Sequence, residues 1–325
     1  MLEFFSFNVA FRSIYRICLF ILLYSVLWMV MTISHTQATI VTSIRPLGFI
    51  AAAISDGVMP VEVILPDGSS PHDYSLRPID VLRLKKADIF IWVGPELESF
   101  LSRLVLSMPA NRRITLSSLP VVIPLLQKGS KELNKNHEHD ITDNRFNRHY
   151  HGEYNMHLWL SPNIAEYAAE AIYNHLLEFT PEKKQLLDEN LRIFKYFLTK
   201  NNKNITKMLT SVRAKGYYVF HDAYGYFEAY YGLTPLGYFT VNPTIQPGAQ
   251  ALHKIRTQLI KKKATCIFAE EQFRPALIRA ITRGTNVHIG TLDPLGVGIA
   301  LDKESYVRFL LQLSNQYISC LKKNI

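Results

Sequence analysis

The sequence predicts an α/β protein built as two lobes with mainly parallel sheets joined by one long helix, and three observations carry that reading. Short β-rich apolar runs alternate with helical stretches from Thr39 onward, as in a sheet whose crossovers are helices. The alternation occurs twice, on either side of one unbroken helical pattern. At 325 residues and 48% hydrophobic content the chain exceeds the roughly 250 to 300 residues at which single cores stop growing, so two medium domains fit.

The first segment is set apart from the fold. Arg12 and Arg16 precede an apolar run from Ile17 to Met31, shorter than the about 20 residues a spanning helix needs. Thr36 and Ala38 then occupy the small-residue positions of a cleavage site, so residues 1–38 read as a secretory signal peptide cut after Ala38. An uncleaved anchor that thins the bilayer is the alternative. A lipid anchor would need a cysteine at the end of the run, and Cys18 stands near its beginning. Export leaves Cys266 and Cys320, an even pair that in an oxidising compartment suggests one disulfide, with two buried free thiols as the other reading.

The first lobe is expected over residues 39–180. Its strands are 40–44, 61–65 and 89–93, followed by a helix over 96–107. Residues 128–154 are polar, lack a hydrophobic period and carry His137, His139, His149 and His151, which predicts a mobile loop. Ser161-Pro162 opens a helix in which Ile164, Ala168, Ile172 and Leu176 recur at four-residue spacing. Thr180-Pro181 repeats the start signal for a linking helix, 181–213, with Leu187, Leu191, Phe194, Leu198, Ile205 and Leu209 on one face. At 1.5 Å per residue it would span roughly 45 Å, enough to run down both lobes. The second lobe, 214–325, has strands 217–220, 266–269 and 287–292 and helices 249–261, 275–283 and 305–320. The lobes share no sequence repeat.

Net charge is +9, or +8 without residues 1–38, but it carries no nucleic-acid signature. The basic residues are dispersed. The short runs Lys261-Lys262-Lys263 and Lys322-Lys323 fall at helix ends, where lysines favour the helix dipole, and aromatic-basic nucleic-acid motifs are missing.

Six histidines lie outside the loop and the leader, and three have special placement. His72 follows a strand and the turn-forming Pro66-Asp67-Gly68-Ser69-Ser70-Pro71. His157 stands shortly before a helix start, and His221 ends a strand. Carboxyl ends of strands face the crevice in open α/β sheets, so two facing lobes could converge these imidazoles on one ion. His175 and His253 fall within helices and His288 inside a strand, which leaves them structural. Taken singly, each of the three reads more readily as a hydrogen-bonded structural residue than as a ligand. Three neutral imidazoles suit zinc.

The segments Leu-Pro-Asp-Gly-Ser-Ser-Pro-His-Asp-Tyr-Ser-Leu-Arg-Pro (65–78), Asn-Met-His-Leu-Trp-Leu-Ser-Pro (155–162) and Phe-His-Asp-Ala-Tyr-Gly-Tyr-Phe (220–227) resemble those of the ZnuA-type periplasmic zinc-binding proteins. So do Asn-Pro-Thr-Ile-Gln-Pro-Gly-Ala-Gln (242–250), Phe-Ala-Glu-Glu-Gln-Phe-Arg-Pro (268–275) and Thr-Leu-Asp-Pro-Leu-Gly (291–296), so the resemblance covers essentially the whole chain after the leader. It implies metal ligation by His72, His157 and His221, a Cys266–Cys320 disulfide, and a loop that supplements metal handling. It also implies a monomeric, non-enzymatic receptor that captures Zn2+ as transported ligand in the periplasm and delivers it to an inner-membrane ABC permease.

The chain departs from the family at Pro71, where many members carry glutamate, so the fourth coordination position falls to a water or to Asp293 after the last strand. The loop is poor in histidine for the family, and Tyr238 stands where some members have histidine. A manganese receptor of the same fold would use two histidines with two carboxylates, and the imidazole at His221 favours zinc. A zinc hydrolase is the rival from another class, but His-Glu-x-x-His, Gly-x-Ser-x-Gly and phosphate-loop patterns are missing. Glu270 and Glu271 could serve as a general base there, although a carboxylate pair after a strand is more often a helix-start or surface feature.

Overall fold

The computed structural model describes residues 38–129, 153–240, 248–261, 264–270 and 275–323. Residues 1–37 of the leader and the loop histidines lie outside these residues, as does Glu271. Strands β1 (Ile40–Thr42), β2 (Val61–Val63), β3 (Ile89–Trp92) and β4 (Arg113–Thr115) form one sheet in the order β2-β1-β3-β4, all parallel. A second all-parallel sheet, β6-β5-β7-β8, is built from β5 (Tyr217–His221), β6 (Gly237–Thr240), β7 (Cys266–Ala269) and β8 (His288–Thr291). The two orders are the same, so the lobes repeat in topology without repeating in sequence.

The crossovers are helices. In the first lobe these are α1 (Arg45–Ile54), α2 (Pro78–Lys86) and α3 (Ser99–Leu106), and α4 (Pro162–Phe179) follows the last strand. In the second they are α6 (Gly225–Tyr231), α7 (Ala249–Lys261) and α8 (Pro275–Thr282), and α9 (Ser305–Leu321) follows the last strand. Ser161 caps α4 by accepting the Ile164 amide through its hydroxyl, with Pro162 in the first turn where a missing N–H does no harm.

Between the lobes runs α5 (Lys184–Thr210), preceded by a 3-10 turn at Pro181–Lys183. Its 27 residues extend roughly 40 Å. One face buries Leu187, Phe194, Leu198, Ile205 and Leu209, as the periodicity predicts. Asn190 on that face donates to the Ile54 and Asp56 carbonyls, satisfying groups at and just past the end of α1.

Three differences from the sequence reading have physical causes. Helix α1 went unread because it is short, apolar beyond Arg45 and almost wholly buried, including Leu47, Phe49, Ile50 and Ile54. Strands β4 and β6 are short and half-buried, too short for a readable apolar run. Helix α3 begins at Ser99 and not at residue 96, because the Glu98 carboxylate turns back to accept the Val93 and Gly94 amides at 2.8 and 3.2 Å. Glu98 is fully buried there, and burial pushes its pKa up to about 7.

The core has three parts. Outer clusters cover the far side of each sheet, one around Phe90, Trp92 and Leu101, the other around Tyr218, Ile267 and Leu259. The largest lies between the sheets and is continuous from Ile40 and Ile91 through Phe194 and Leu198 to Val219, Phe268 and Phe309.

The disulfide Cys266–Cys320 ties β7 to α9, with Cα atoms 6.1 Å apart. Gly290 of β8 lets α9 come this close: a Cβ there would meet Phe268 at 2.8 Å and Cys320 Cβ at 2.9 Å.

Candidate metal centre

Each of the three histidines is placed by its own local structure. His221 is the last residue of β5, an interior strand of the second sheet. His72 comes from the turn after β2, in which Gly68 adopts φ +79°, a conformation that suits glycine. Arg45 holds that turn from α1, donating through Nε and Nη2 to the two Asp67 oxygens at 2.6 and 3.2 Å. His157 precedes the 3-10 turn Leu158–Leu160 that leads into α4.

They converge. Each imidazole offers one ring nitrogen to a set whose members all lie within 4.8 Å of one another. Ring centroids are 5.3 Å apart for His72 and His157, 5.4 Å for His72 and His221, and 4.7 Å for His157 and His221. His157 and His221 are buried, and His72 is half-buried.

Tautomers follow from the acceptors around the rings. His157 Nδ1 lies 2.8 Å from Asn155 Oδ1, and His221 Nδ1 lies 2.9 Å from Glu270 Oε1. Both oxygens are acceptors, so both Nδ1 atoms carry the proton and the lone pairs reside on Nε2. Those two Nε2 atoms approach to 3.0 Å. Two lone pairs facing one another at this distance repel unless a proton or a metal cation lies between them. Tetrahedral zinc with bonds near 2.0 to 2.1 Å sets its nitrogen ligands about 3.3 to 3.4 Å apart, within a few tenths of an ångström of that separation.

Two contributors escaped the sequence reading. Asn155 accepts both the backbone amide and Nδ1 of His157 on one oxygen and donates through Nδ2 to the Asp222 carbonyl, linking the two lobes behind the ring. The Asn-x-His spacing was the available signal, since asparagine readily bonds the backbone two residues on. Glu270 is neither a surface group nor a helix cap: it is 3% exposed and bonded to His221. Register explains its position. Tyr217 pairs with Cys266 and Val219 with Phe268, so the next residue on the same face, His221, is level with Glu270.

Asp293 occupies a turn. Its Oδ1 accepts the Leu295 and Gly296 amides at 2.9 and 3.0 Å, and its Oδ2 accepts the Val297 amide at 2.6 Å and Gln312 Nε2 at 3.4 Å. A carboxylate has about four acceptor directions, so metal ligation by Asp293 would displace one of these donors. Trp159 Nε1 donates to the next carbonyl, that of Pro294, at 2.7 Å. His175 back-bonds to Ala171 within α4, His253 is exposed on α7, and His288 stands in β8; none of the three joins the cluster.

The chain matches the family model ZnuA, "Zinc-uptake complex component A periplasmic", over residues 40–320. It is 63% identical over 292 residues to the high-affinity zinc uptake system protein ZnuA of Yersinia pestis, covering 88% of this chain and 92% of that protein. It is 42% identical to the protein of the same name from Haemophilus ducreyi, covering 88% and 94%. Among solved structures it resembles a zinc-bound ZnuA deletion mutant (TM-score 0.71, 21% identity, 89% of this chain and 100% of that one). It also resembles the periplasmic zinc-binding protein TroA of Treponema pallidum (TM-score 0.73, 21% identity, 88% and 100%), and both likenesses establish the two-lobe fold.

Proposed function

The chain belongs to the ZnuA family of periplasmic zinc-uptake components, and from that premise we propose that it captures Zn2+ with His72, His157 and His221 and delivers it to an inner-membrane ABC permease. The observation that supports this most is the 3.0 Å approach of the His157 and His221 Nε2 atoms, each ring held from behind through Nδ1. Zinc is cargo here, and no catalytic step is assigned to it. A manganese receptor calls for carboxylates among the ligands, whereas the cluster among the described residues is three imidazoles, which suit the softer ion. With Asp293 engaged by its turn, a water is the simpler fourth ligand. Asp293 takes that place only by releasing a turn donor.

We divide the receptor into lobes 39–180 and 214–325 with the linking helix 181–213, and propose that it works as a monomer after removal of residues 1–38. Sedimentation and intact mass of the exported protein check both points, and a mass that retains residues 1–38 overturns the leader. The site is tested by competitive zinc titration. Replacing His72, His157 or His221 with Ala should each weaken binding by more than about 10-fold, whereas His253→Ala should leave it unchanged. Unchanged binding in two of the three variants overturns the assignment.

A further inference from the structure

We propose that Glu270 is the positioning residue of the zinc site, fixing His221 and supplying, through its ring, the negative charge that three imidazoles lack. This rests on the three-histidine reading above.

The surroundings of the carboxylate carry the argument. Glu270 is 3% exposed, and among the described residues its hydrogen bond is the one to His221 Nδ1. Its other oxygen, Oε2, is buried without a hydrogen-bond partner, and its ion pairing among the described residues is with His221 alone. The Tyr224 phenol lies near this carboxylate. Burial and then the charge of Glu270 push that phenol's pKa well up, which keeps it neutral. A buried carboxylate with one neutral donor and one orphaned oxygen is costly to hold as an anion. A divalent cation on the far side of the His221 ring is the compensation this geometry offers. The polarised ring in turn becomes the more basic ligand.

The contrast with His157 sharpens the point. Its Nδ1 partner is the neutral amide of Asn155, whereas the partner of His221 Nδ1 is a carboxylate. Of the two other positions weighed for a fourth ligand, one lacks a donor and the other is engaged. Pro71 before His72 has no side-chain donor atom, and the Asp293 oxygens accept four donors of their own.

Two substitutions separate charge from shape. Glu270→Gln keeps the length and an acceptor oxygen for Nδ1 but removes the charge. Glu270→Asp keeps the charge on a shorter arm. Zinc affinity is read by competition with a chromophoric chelator, and ligand geometry by the visible absorption of Co2+ bound in place of zinc. The expected result is a loss of about 10- to 100-fold for the Gln variant with its Co2+ band retained, and a smaller loss for the Asp variant. A residue serving only to hold the ring in place would give the reverse order. Gln binding within twofold of the parent, or tighter than Asp, overturns the proposal. If zinc binding also survives His221→Ala, it is the three-histidine reading that has failed. If the histidine variants lose zinc and the Gln variant does not, Glu270 alone has been misread.

Discussion

Glu228, one turn into α6, is 5% exposed and accepts the phenols of Tyr217 and Tyr317 at 2.9 and 3.0 Å. Burial, opposed by those two hydrogen bonds, raises its pKa to about 7 from an ordinary value of 4.5. A raised carboxyl pKa means the folded state holds the proton more tightly than the unfolded chain. Its stabilising contribution is therefore complete below pH 4.5 and is lost as pH rises through about 7. At ~1.4 kcal/mol per pKa unit the effect is on the order of 3 kcal/mol. Glu228→Gln should thus flatten part of the stability decline across that window, with Glu98, also raised to about 7, keeping the rest. Denaturant melts of the zinc-free protein at pH 4.5, 6 and 8 check this, and an unchanged decline in the variant counts against it. At this scale the sequence disclosed the three clustered histidines better than the groups behind them. His72, His157 and His221 were legible because turn residues, a helix start and a strand end mark them locally. Glu270 was not, because its partner is set by the register of two strands separated by 49 residues, which no local pattern records.

At the scale of elements, the Cys266–Cys320 bond closes a loop with a sequence separation of 54 residues. The chain-entropy model assigns such a closure about 4 kcal/mol. A Cys266→Ser/Cys320→Ser double variant should be less stable by roughly that amount in denaturant, and equal midpoints for variant and parent would refute the estimate. Because β7 runs directly into Glu270, the double variant should also blur the carboxylate's position behind His221. Strong periodic elements were readable from sequence: α4, α5 and α9 fall within a few residues of their expected bounds. Among those missed, α2 and α6 are short, at nine and seven residues, and the others offered little to read. Helix α1 is apolar on nearly all sides, and the edge strands β4 and β6 are three and four residues long.

For the whole molecule, the sequence reading of two lobes joined by a helix matches the two sheets, but the cores are less separate than two alternating halves imply. The last helix, α9, reaches across: Phe309 lies 5.9 Å from Phe49 of α1, and Tyr306 lies 6.0 Å from Phe194 of α5. Tyr306 also donates its phenol to the Trp159 carbonyl, while Tyr226 of α6 donates to the Asn155 carbonyl. Gly296 marks how close this junction is, since a Cβ there would stand 2.7 Å from the Phe49 ring. Burying apolar surface in one continuous cluster couples the lobes more tightly than a polar hinge would.

That shared cluster bears on how such a protein can be recombined. Although its halves have the same strand order, they are not interchangeable cartridges: a first lobe cut away at the linking helix would leave Phe49 facing water where Phe309 had been. Grafting a lobe from a distant relative would import a surface shaped for other rings. Chimeras of this receptor are therefore best built with α1, α5 and α9 inherited together as one block.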